Sequence, residues 1–320
     1  MPFKRILITG GNGYVGRCVT RLLSQEHTVC VADSLRYGHW RFTAAERDWL
    51  QLEEIDIRDV DGMRRLMDTF IPDVVVHLAA IHYIPECDRD PMLAVSTNVL
   101  GTLNLLLTCP DGCRFVFASS GAVYSPAEQP HCEATSELGP SDVYGRSKLQ
   151  GEQFVQDFTT KRGLAAVIVR LFNVIGPGET NPHLLPELVA QLKAGRNTVE
   201  IGNLSPKRDY ISVQDAARGF AAAAVSGVMN RGEARVVNLG TSRAYSVAEI
   251  VGKLRSISGI DFKVRQDESR VRRVDRPFLA ADVRSIAELF GWRPAHTIDD
   301  ALRELWREPD LSNGLVARYQ

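Results

Sequence analysis

The sequence predicts an α/β fold: a doubly wound parallel sheet with a smaller C-terminal α/β unit. Three observations support this prediction. Short apolar runs alternate with helical patterns over the first half of the chain, which is typical of βαβ units with right-handed crossovers. A glycine-rich turn joins the first strand to the first helix. After about Asn173 the elements become shorter and loop residues more frequent.

The predicted strands of the first half are mostly apolar, as expected for a parallel sheet that helices cover on both faces. They span residues 3–9, 28–32, 74–80, 114–118 and 165–171. Helical patterns lie between them, from Tyr14 to Gln25, up to Phe70, over 91–107, and from near Asp142 to about Lys161. Ligands of such sheets bind at the carboxyl ends of the strands, so side chains just after each strand are the first candidates for a site.

The second half begins with the loop residues Gly176 to Pro182 and continues in short elements. We expect helices at 184–194, 213–227, 246–258 and near 298–306, strands at 198–201 and 235–239, and a loop from Gly202 to Arg208. The predicted division is a first domain over 1–173, to which segments near 212–240 return, and a second domain over 174–320.

Composition argues against several classes of function. The 320 residues are 44% hydrophobic and 24% charged, with a formal net charge of −1, so neither nucleic acid nor a membrane is an expected partner. No apolar run approaches the ~20 residues of a membrane span, and the N-terminus has no signal-peptide pattern. The six cysteines are scattered without zinc-ligand spacing, which predicts no metal site and reduced thiols in a cytoplasmic protein.

A dinucleotide site is predicted where the first strand ends. Gly10, Gly13 and Gly16 precede a helix, and glycines there let the backbone approach a pyrophosphate at the helix N-terminus. The second strand ends at Asp33, 20 residues past Gly13, where a carboxylate binds the adenosine ribose. That carboxylate repels a 2′-phosphate and favours NAD over NADP, whereas the nearby Arg36 argues the other way. The pattern indicates a Rossmann-type domain.

Tyr144 and Lys148 stand four residues apart in a predicted helix, so both side chains share one face. A nearby cation stabilises phenolate and lowers the phenol pKa from ~10, which lets it exchange a proton with a substrate hydroxyl near neutral pH. Ser120 follows another strand and is placed to point into the same crevice. Tyr and Lys at this spacing also occur by chance on surface helices. The pair therefore indicates a catalytic site only in combination with the glycine turn, Asp33 and Ser120.

Motifs along the whole chain resemble the extended short-chain dehydrogenase/reductase family, in its NAD-dependent nucleotide-sugar epimerase/dehydratase branch. Within that branch the pattern is most like the UDP-glucose 4-epimerases. The matching residues are Thr9 to Gly16, Asp33-Ser34-Leu35, Asp56-Ile57, His77-Leu78-Ala79-Ala80, Asn98, Ser119-Ser120, Tyr144 with Lys148, Arg170 to Val174, Arg208 to Ile211, Val237 to Gly240, and Arg272 with Asp275 and Pro277. The resemblance implies that the first domain binds NAD and the second a nucleotide sugar.

The resemblance also implies a role for each matching residue. It makes Tyr144 the acid/base, Ser120 the hydrogen-bond partner of the reacting hydroxyl, and Lys148 the group that lowers the pKa of Tyr144. It implies cofactor contacts from Gly10, Gly13, Tyr14, Val15, Gly16, Asp33, Asp56, Ile57, Leu78, Ala79, Ala80, His82, Asn98, Tyr144 and Lys148. It implies contacts to the sugar nucleotide from Ser120, Tyr144, Asn173, His183, Leu184, Arg208, Arg272 and Asp275, with the two arginines on the diphosphate.

Two histidines depart from the resembled pattern. His82 stands where the 4-epimerases carry a lysine near the cofactor, and His183 replaces an expected asparagine, which leaves part of the diphosphate contact open. We interpret His77 as a strand-end residue with a structural hydrogen bond, and Arg273 and Arg276 as solvated side chains.

The residues after Ser120 select among the reactions of the resembled branch. Its dehydratases and decarboxylases carry acids there, but this chain has Gly121 and Ala122, which cannot exchange a proton. The sequence therefore predicts epimerisation at C4 of a nucleotide sugar through a transient 4-keto sugar. UDP-glucose/galactose or UDP-glucuronate is the expected type of substrate.

Two alternatives remain open at this point. An NAD(P)-dependent reductase or dehydrogenase of a nucleotide-linked keto-sugar is favoured by the loop Gly202 to Asp209, which resembles that of GDP-sugar dehydratases. A non-catalytic, dinucleotide-sensing protein is the more remote one. The apolar helix over 91–107 carries more apolar surface than one sheet contact needs, which predicts a homodimer.

Overall fold

The computed structural model describes residues 3–179, 181, 183–268 and 276–308. Seven parallel strands form its main sheet: β1 (Arg5–Thr9), β2 (Thr28–Asp33), β3 (Gln51–Glu54), β4 (Val74–His77), β5 (Arg114–Ser120), β6 (Ala165–Leu171) and β10 (Ala234–Leu239). Their order in space is β10-β6-β5-β4-β1-β2-β3. The order reverses between β4 and β1, and in open parallel sheets this switch point is where ligands bind.

Helices cover both faces of this sheet. They are α1 (Tyr14–Leu23), α2 (Ala44–Arg47), α3 (Val60–Phe70), α4 (Ile84–Arg89), α5 (Pro91–Val95), α6 (Gly101–Thr108), α7 (Val143–Arg162) and α9 (Val213–Val225). In β1, Ile6 and Ile8 join the core cluster that contains α1 and α9, whereas Leu7 joins the one that contains α3, α6 and α7. All three are fully buried, which explains why the strand reads as a continuous apolar run.

The helix predicted over 91–107 is continuous but not regular. A π-helical turn at Ser96–Leu100 separates α5 from α6. The whole stretch Pro91–Thr108 is long and apolar enough to cross a membrane by length and composition alone, with a mean hydropathy of 1.3 and 44% of it buried against the domain. A helix that packs on a core meets the same criteria, and α6 packs here on α3 and α7.

The second half forms a smaller α/β unit with its own core. It contains β7 (Asn173–Ile175), α8 (Leu184–Lys193), β8 (Thr198–Ile201), β9 (Lys207–Ser212), β11 (Ala244–Ser246), α10 (Val247–Ser258), β12 (Lys263–Gln266), β13 (Phe278–Leu279), α11 (Arg284–Phe290) and α12 (Ile298–Arg307). β9 pairs with β7, β11 and β13, and β12 pairs with β8. Helices α8, α10 and α12 enclose the core between them.

The sequence analysis missed several of these strands. The predicted loop from Gly202 to Arg208 is wrong at its end, because β9 begins at Lys207. β7, β11 and β13 have two or three residues each, too few for a periodic pattern. Their pairing with β9 is what makes them strands.

The chain returns to the first sheet after β9. Helix α9 packs on α1, and β10 pairs in parallel with β6 at the sheet edge, with Val237 opposite Val169. Residues from 213 to 239 therefore complete the layers that the first 171 residues begin.

Candidate active site

A cleft of about 1150 Å³ runs across the carboxyl ends of the main sheet. The first half of the chain lines one side of it, and residues of α8, β8 and β9 line the other. Sites for a single small molecule occupy roughly 300–1,000 Å³. The cleft therefore has room for two ligands of moderate size.

The glycine turn after β1 brings the backbone close to the cleft. Gly10 has φ +71°, and a Cβ there would lie 2.6 Å from the backbone of Ala79. A Cβ on Gly16 would collide with the carbonyl oxygen of Gly10. Gly13 begins α1 without a side-chain cap, and Tyr14, Val15 and Gly16 of its first turn line the cleft. This cradle at a helix N-terminus suits a pyrophosphate.

Asp33 lies at the end of β2 beside this cradle. Its carboxylate accepts hydrogen bonds from the backbone N–H groups of Asn12 and Leu35, both at 3.0 Å. Burial raises the pKa of Asp33, and the two backbone hydrogen bonds oppose that rise. Arg36 is turned away to form an ion pair of 2.6 Å with Glu86, so it is already engaged. The acidic side chain is thus the one presented to a ribose.

The remaining predicted cofactor residues of the first half lie around the same part of the cleft, with one exception. Asp56, Ile57, Leu78, Ala79, Ala80 and His82 all line it. Asn98 does not: it is buried in the π-helical turn, where its amide bonds the backbone N–H and C=O of Ile81 and the hydroxyl of Ser147. From there Asn98 ties the cleft wall to α7. We interpret it as a positioning residue.

Ser120, Tyr144 and Lys148 meet at the centre of the cleft. Asp142 caps α7 by accepting a hydrogen bond of 2.7 Å from the N–H of Gly145, so the helix begins where Tyr144 faces β5. Ser120 bonds the Tyr144 hydroxyl, and its Oγ accepts the N–H of Ala122 at 3.1 Å. Lys148 Nζ lies 5.9 Å from the centre of the Tyr144 ring.

Burial has the largest effect on the electrostatics of this trio. It raises the pKa of Tyr144, and the Ser120 hydrogen bond opposes the rise. The lowering by Lys148 that the resemblance implies stays a prediction. Burial likewise lowers the pKa of Lys148 to about 8. Lys148 is 3% exposed, and its Nζ lies 5.1 Å from the centre of the Phe117 ring. A ligand hydroxyl would give this ammonium a hydrogen-bond acceptor.

His77 has the structural role expected of it. Its ring nitrogens lie 2.8 Å from the hydroxyls of Thr9 and Thr102, which ties β4 to β1 and to α6. The ring is fully buried among phenylalanines, and burial holds the pKa of His77 well below its usual range.

On the far side of the cleft, Asn173, His183, Leu184 and Arg208 all line the wall. Arg208 donates to the carbonyl oxygens of Lys207 and Arg276, at 2.9 and 2.6 Å. Arg272 and Asp275 lie outside the described residues.

His82, Glu179 and His183 bring their ligand atoms within 4.8 Å of one another. His82 also contacts the amide of Asn181 at 3.1 Å. Two imidazoles and a carboxylate this close together form a group that could hold a metal ion.

A family model for the NAD dependent epimerase/dehydratase family matches residues 6–246. The chain belongs to this family. Its relatives include UDP-glucose 4-epimerase 4 of Oryza sativa subsp. japonica, 30% identical over 95% of this chain and 89% of that protein. They also include GDP-6-deoxy-D-mannose reductase of Pseudomonas aeruginosa, 28% identical over 94% and 96%. In these relatives the family fold carries both epimerase and reductase activities.

Solved structures of family members have the same architecture. The UDP-glucose 4-epimerase of Thermus thermophilus in complex with NAD superposes with a TM-score of 0.81 at 27% identity, over 94% of this chain and 97% of that one. The Brucella ovis UDP-glucose 4-epimerase in complex with NAD gives 0.81 at 29% identity, over 93% and 95%. The fold class and family predicted from the sequence are confirmed, and NAD is the cofactor of this family member.

Three side chains of this family member make contacts that the sequence analysis did not predict, although Arg170 stands in one of the matching motifs. Glu152 on α7 and Arg170 on β6 form a buried bidentate ion pair, at 2.9 and 2.7 Å. Glu152 stands eight residues after Tyr144, so its place on the same helical face as Tyr144 and Lys148 was the available signal. Arg276 is buried and lines the cleft, so its interpretation as solvated is wrong. No sequence pattern marked it.

Proposed function

We propose that this chain catalyses epimerisation at C4 of a nucleotide sugar, with NAD as a cofactor that is regenerated in each turnover. The observation that carries the proposal is the trio of Ser120, Tyr144 and Lys148 in the cleft, followed by Gly121 and Ala122, which have no group that exchanges a proton. Oxidation and re-reduction at one carbon need no second acid or base. The UDP-glucose 4-epimerases among the relatives support the same reaction.

Tyr144 takes the proton of the sugar hydroxyl and returns it at the end of the cycle. Ser120 forms hydrogen bonds with both the sugar hydroxyl and the Tyr144 phenol. Lys148 supplies the positive charge that favours phenolate. NAD⁺ held by the glycine turn and Asp33 would supply the hydride acceptor for the sugar carbon, the hydride donor for its re-reduction, and a positive charge in the site. The small residues Gly121 and Ala122 leave space for the sugar to turn over.

We assign NAD to the first half of the cleft. Gly10, Gly13 and Gly16, with Tyr14 and Val15, hold its pyrophosphate, and Asp33 holds its ribose. Asp56, Ile57, Leu78, Ala79, Ala80 and His82 enclose the rest. The cofactor-binding unit then comprises residues 1–173 with the returning segments near 212–240.

We assign the nucleotide sugar to the opposite wall, in a unit over 174–320. Asn173, His183, Leu184 and Arg208 contact it, with Arg208 on the diphosphate. Arg272 and Asp275 keep the diphosphate and ribose roles that the resemblance implies.

A homodimer is part of the proposal. Met92, Val95, Leu100 and Leu107 of the helical stretch 91–108 are exposed, by 79%, 39%, 52% and 51%. Four large apolar side chains on one helical stretch favour a covered surface, and a second copy with the same stretch would cover it. We also place the protein in the cytoplasm, where its six free cysteines would stay reduced.

A reductase of a nucleotide-linked keto-sugar is the second candidate, because one relative is GDP-6-deoxy-D-mannose reductase. The two candidates differ in cofactor stoichiometry. An epimerase leaves the NAD(H) pool unchanged, whereas a reductase consumes one reduced cofactor per sugar.

The test compares wild-type protein with Tyr144→Phe on pairs of C4-epimeric nucleotide sugars, followed by chromatography of the products. Wild type interconverts a pair without net cofactor change, and Tyr144→Phe lowers turnover roughly 10²-fold or more because the general base is lost. Mass spectrometry of small molecules released from wild type checks for bound NAD. Stoichiometric oxidation of NADH with a keto-sugar would refute the epimerase. A drop of less than threefold in Tyr144→Phe would revive a non-catalytic role.

A further inference from the structure

Arg276 reaches into the cleft directly beside the catalytic serine. Its guanidinium donates to the carbonyl oxygens of Gly121 and Ala122, at 3.1 and 2.7 Å, and to the hydroxyl of Ser141 at 3.4 Å. The two carbonyls belong to the residues that follow Ser120. An anionic group bound by Arg276 would therefore lie close enough to the reacting hydroxyl, which Ser120 and Tyr144 contact, for both groups to belong to the same sugar ring.

Among the residues that the structure describes, no carboxylate pairs with Arg276. The side chain is 8% exposed, and among the described residues no carboxylate lies within 4.0 Å of the guanidinium. Asp142 acts on it from farther away, while its carboxylate caps α7. Burial and the nearby Arg208 both lower the pKa of Arg276. A buried cation held only by neutral acceptors is costly, and an anionic ligand would offset that cost.

The guanidinium also has donors to spare. Its three bonds use one N–H group of Nη1 and both N–H groups of Nη2, so the Nε–H group and one Nη1–H group remain for a ligand. Either of them can donate a charge-assisted hydrogen bond to a carboxylate oxygen.

We propose that Arg276 binds a carboxylate on the carbon next to the reacting one, so that the substrate is a nucleotide-linked hexuronate, with its carboxylate on C5. This inference rests on the proposed function, because it takes C4 as the reacting carbon. A hexose with a neutral C6 hydroxyl would offer Arg276 no counter-charge on the sugar ring. Arg276 is thus a specificity residue, and its contacts to Gly121 and Ala122 fix where the carboxylate lies.

The first experiment measures kcat/KM of the wild-type enzyme for UDP-glucuronate and UDP-glucose. We expect a preference of roughly 10²-fold or more for the uronate, because a site built for a charged group rejects an analogue that lacks it. In Arg276→Met the ratio collapses at least tenfold, mostly through a higher KM for the uronate. Arg276→Lys, which keeps the charge but not the fork, retains an intermediate ratio. The matched control is Arg146→Met, an exposed arginine of α7, which leaves the ratio within about twofold of wild type.

Three outcomes would overturn the inference. One is a wild-type preference for UDP-glucose. The second is an unchanged ratio in Arg276→Met, since a purely structural role for Arg276 would lower both rates together. The third is a preference for UDP-N-acetylmuramate over UDP-glucuronate, because the carboxylate would then sit on the C3 side.

A binding measurement separates this inference from the proposed function. Calorimetric titration of Tyr144→Phe, loaded with NAD, gives the Kd of each sugar nucleotide without turnover. Suppose that wild type epimerises neither sugar, that it binds UDP-glucuronate at least tenfold more tightly than UDP-glucose, and that Arg276→Met removes this difference in Kd. The proposed specificity of Arg276 would then be supported and the proposed epimerase activity refuted. Equal Kd values for the two sugars would refute the specificity of Arg276, whatever reaction the enzyme catalyses. Thermal unfolding of each variant identifies any that is misfolded, and Arg276→Lys then replaces it in the comparison.

Discussion

The buried pair of Glu152 and Arg170 gives the sharpest test of how the catalytic helix is held. The guanidinium of Arg170 bonds both oxygens of Glu152, and the side chains are 2% and 4% exposed. Ser119 donates a short hydrogen bond to the same carboxylate, and Arg170 also donates to the hydroxyl of Tyr124 at 2.9 Å. Glu152 thus fastens α7 to β5 through Ser119 and to β6 through Arg170.

Glu152→Gln removes the charge and keeps the shape. The amide oxygen of the glutamine can still accept one hydrogen bond from Arg170. Its NH₂ group, however, places hydrogen-bond donors opposite the N–H donors of the guanidinium. Leaving a buried cation without its partner costs about 3–5 kcal/mol, and the retained bond places this variant near 3 kcal/mol. That is a large part of the ~5–15 kcal/mol by which folded domains are stable.

The assay is equilibrium unfolding in urea, followed by fluorescence and by circular dichroism. Arg64→Gln is the matched control, because it removes one member of the exposed Arg64–Asp61 pair and should cost less than about 0.5 kcal/mol. The double variant Glu152→Gln/Arg170→Met should recover much of the loss, since no buried charge then remains. A loss below about 1 kcal/mol in Glu152→Gln, or a double variant less stable than the single one, would refute the reasoning.

Three further predictions use other parts of the structure. Burial lowers the pKa of Lys148 to about 8, so the ammonium is lost as pH rises through that value: kcat/KM should fall above pH ~8, and Lys148→Arg should move this limb to higher pH. The same shift makes the contribution of Lys148 to folding more favourable as pH rises between about 8 and the usual lysine value, so the unfolding free energy of wild type relative to Lys148→Met should increase over that range. Asp33→Ser should weaken NAD binding roughly tenfold and admit NADP, as fluorescence titration would reveal; unchanged selectivity would contradict the assigned ribose contact. Leu100→Glu should turn the proposed dimer into a monomer in analytical ultracentrifugation, whereas Val228→Glu, at an exposed site outside the helical stretch, should not.

Local patterns explain what the sequence predicted well. The glycine turn, Asp33 and the strands of the main sheet each carry their signal within a few residues. Tyr144 and Lys148 share a helical face by spacing alone, and their placement in the cleft agrees with that expectation. The position of Ser120 was predictable because it stands at the end of a buried strand.

Contacts between distant residues explain what the sequence could not predict. Arg276 meets Gly121 across 155 positions, and Glu152 meets Arg170 only after α7 folds back on β6. The raised pKa of Tyr144 likewise depends on burial by several segments at once. The short strands β7, β11 and β13 exist because β9 lies between them. None of these features has a period or a motif.

The late position of β10 has a consequence for synthesis on the ribosome. β6 ends at Leu171, but its partner begins at Ala234, 63 residues later. At about 5–20 residues per second, the nascent chain carries an open apolar strand edge for roughly 3–13 seconds. Such an edge invites pairing with other chains, so a fragment cut near residue 173 should aggregate. During this interval of translation the nascent chain is open to aggregation, and chaperones that bind exposed strands would act on it then.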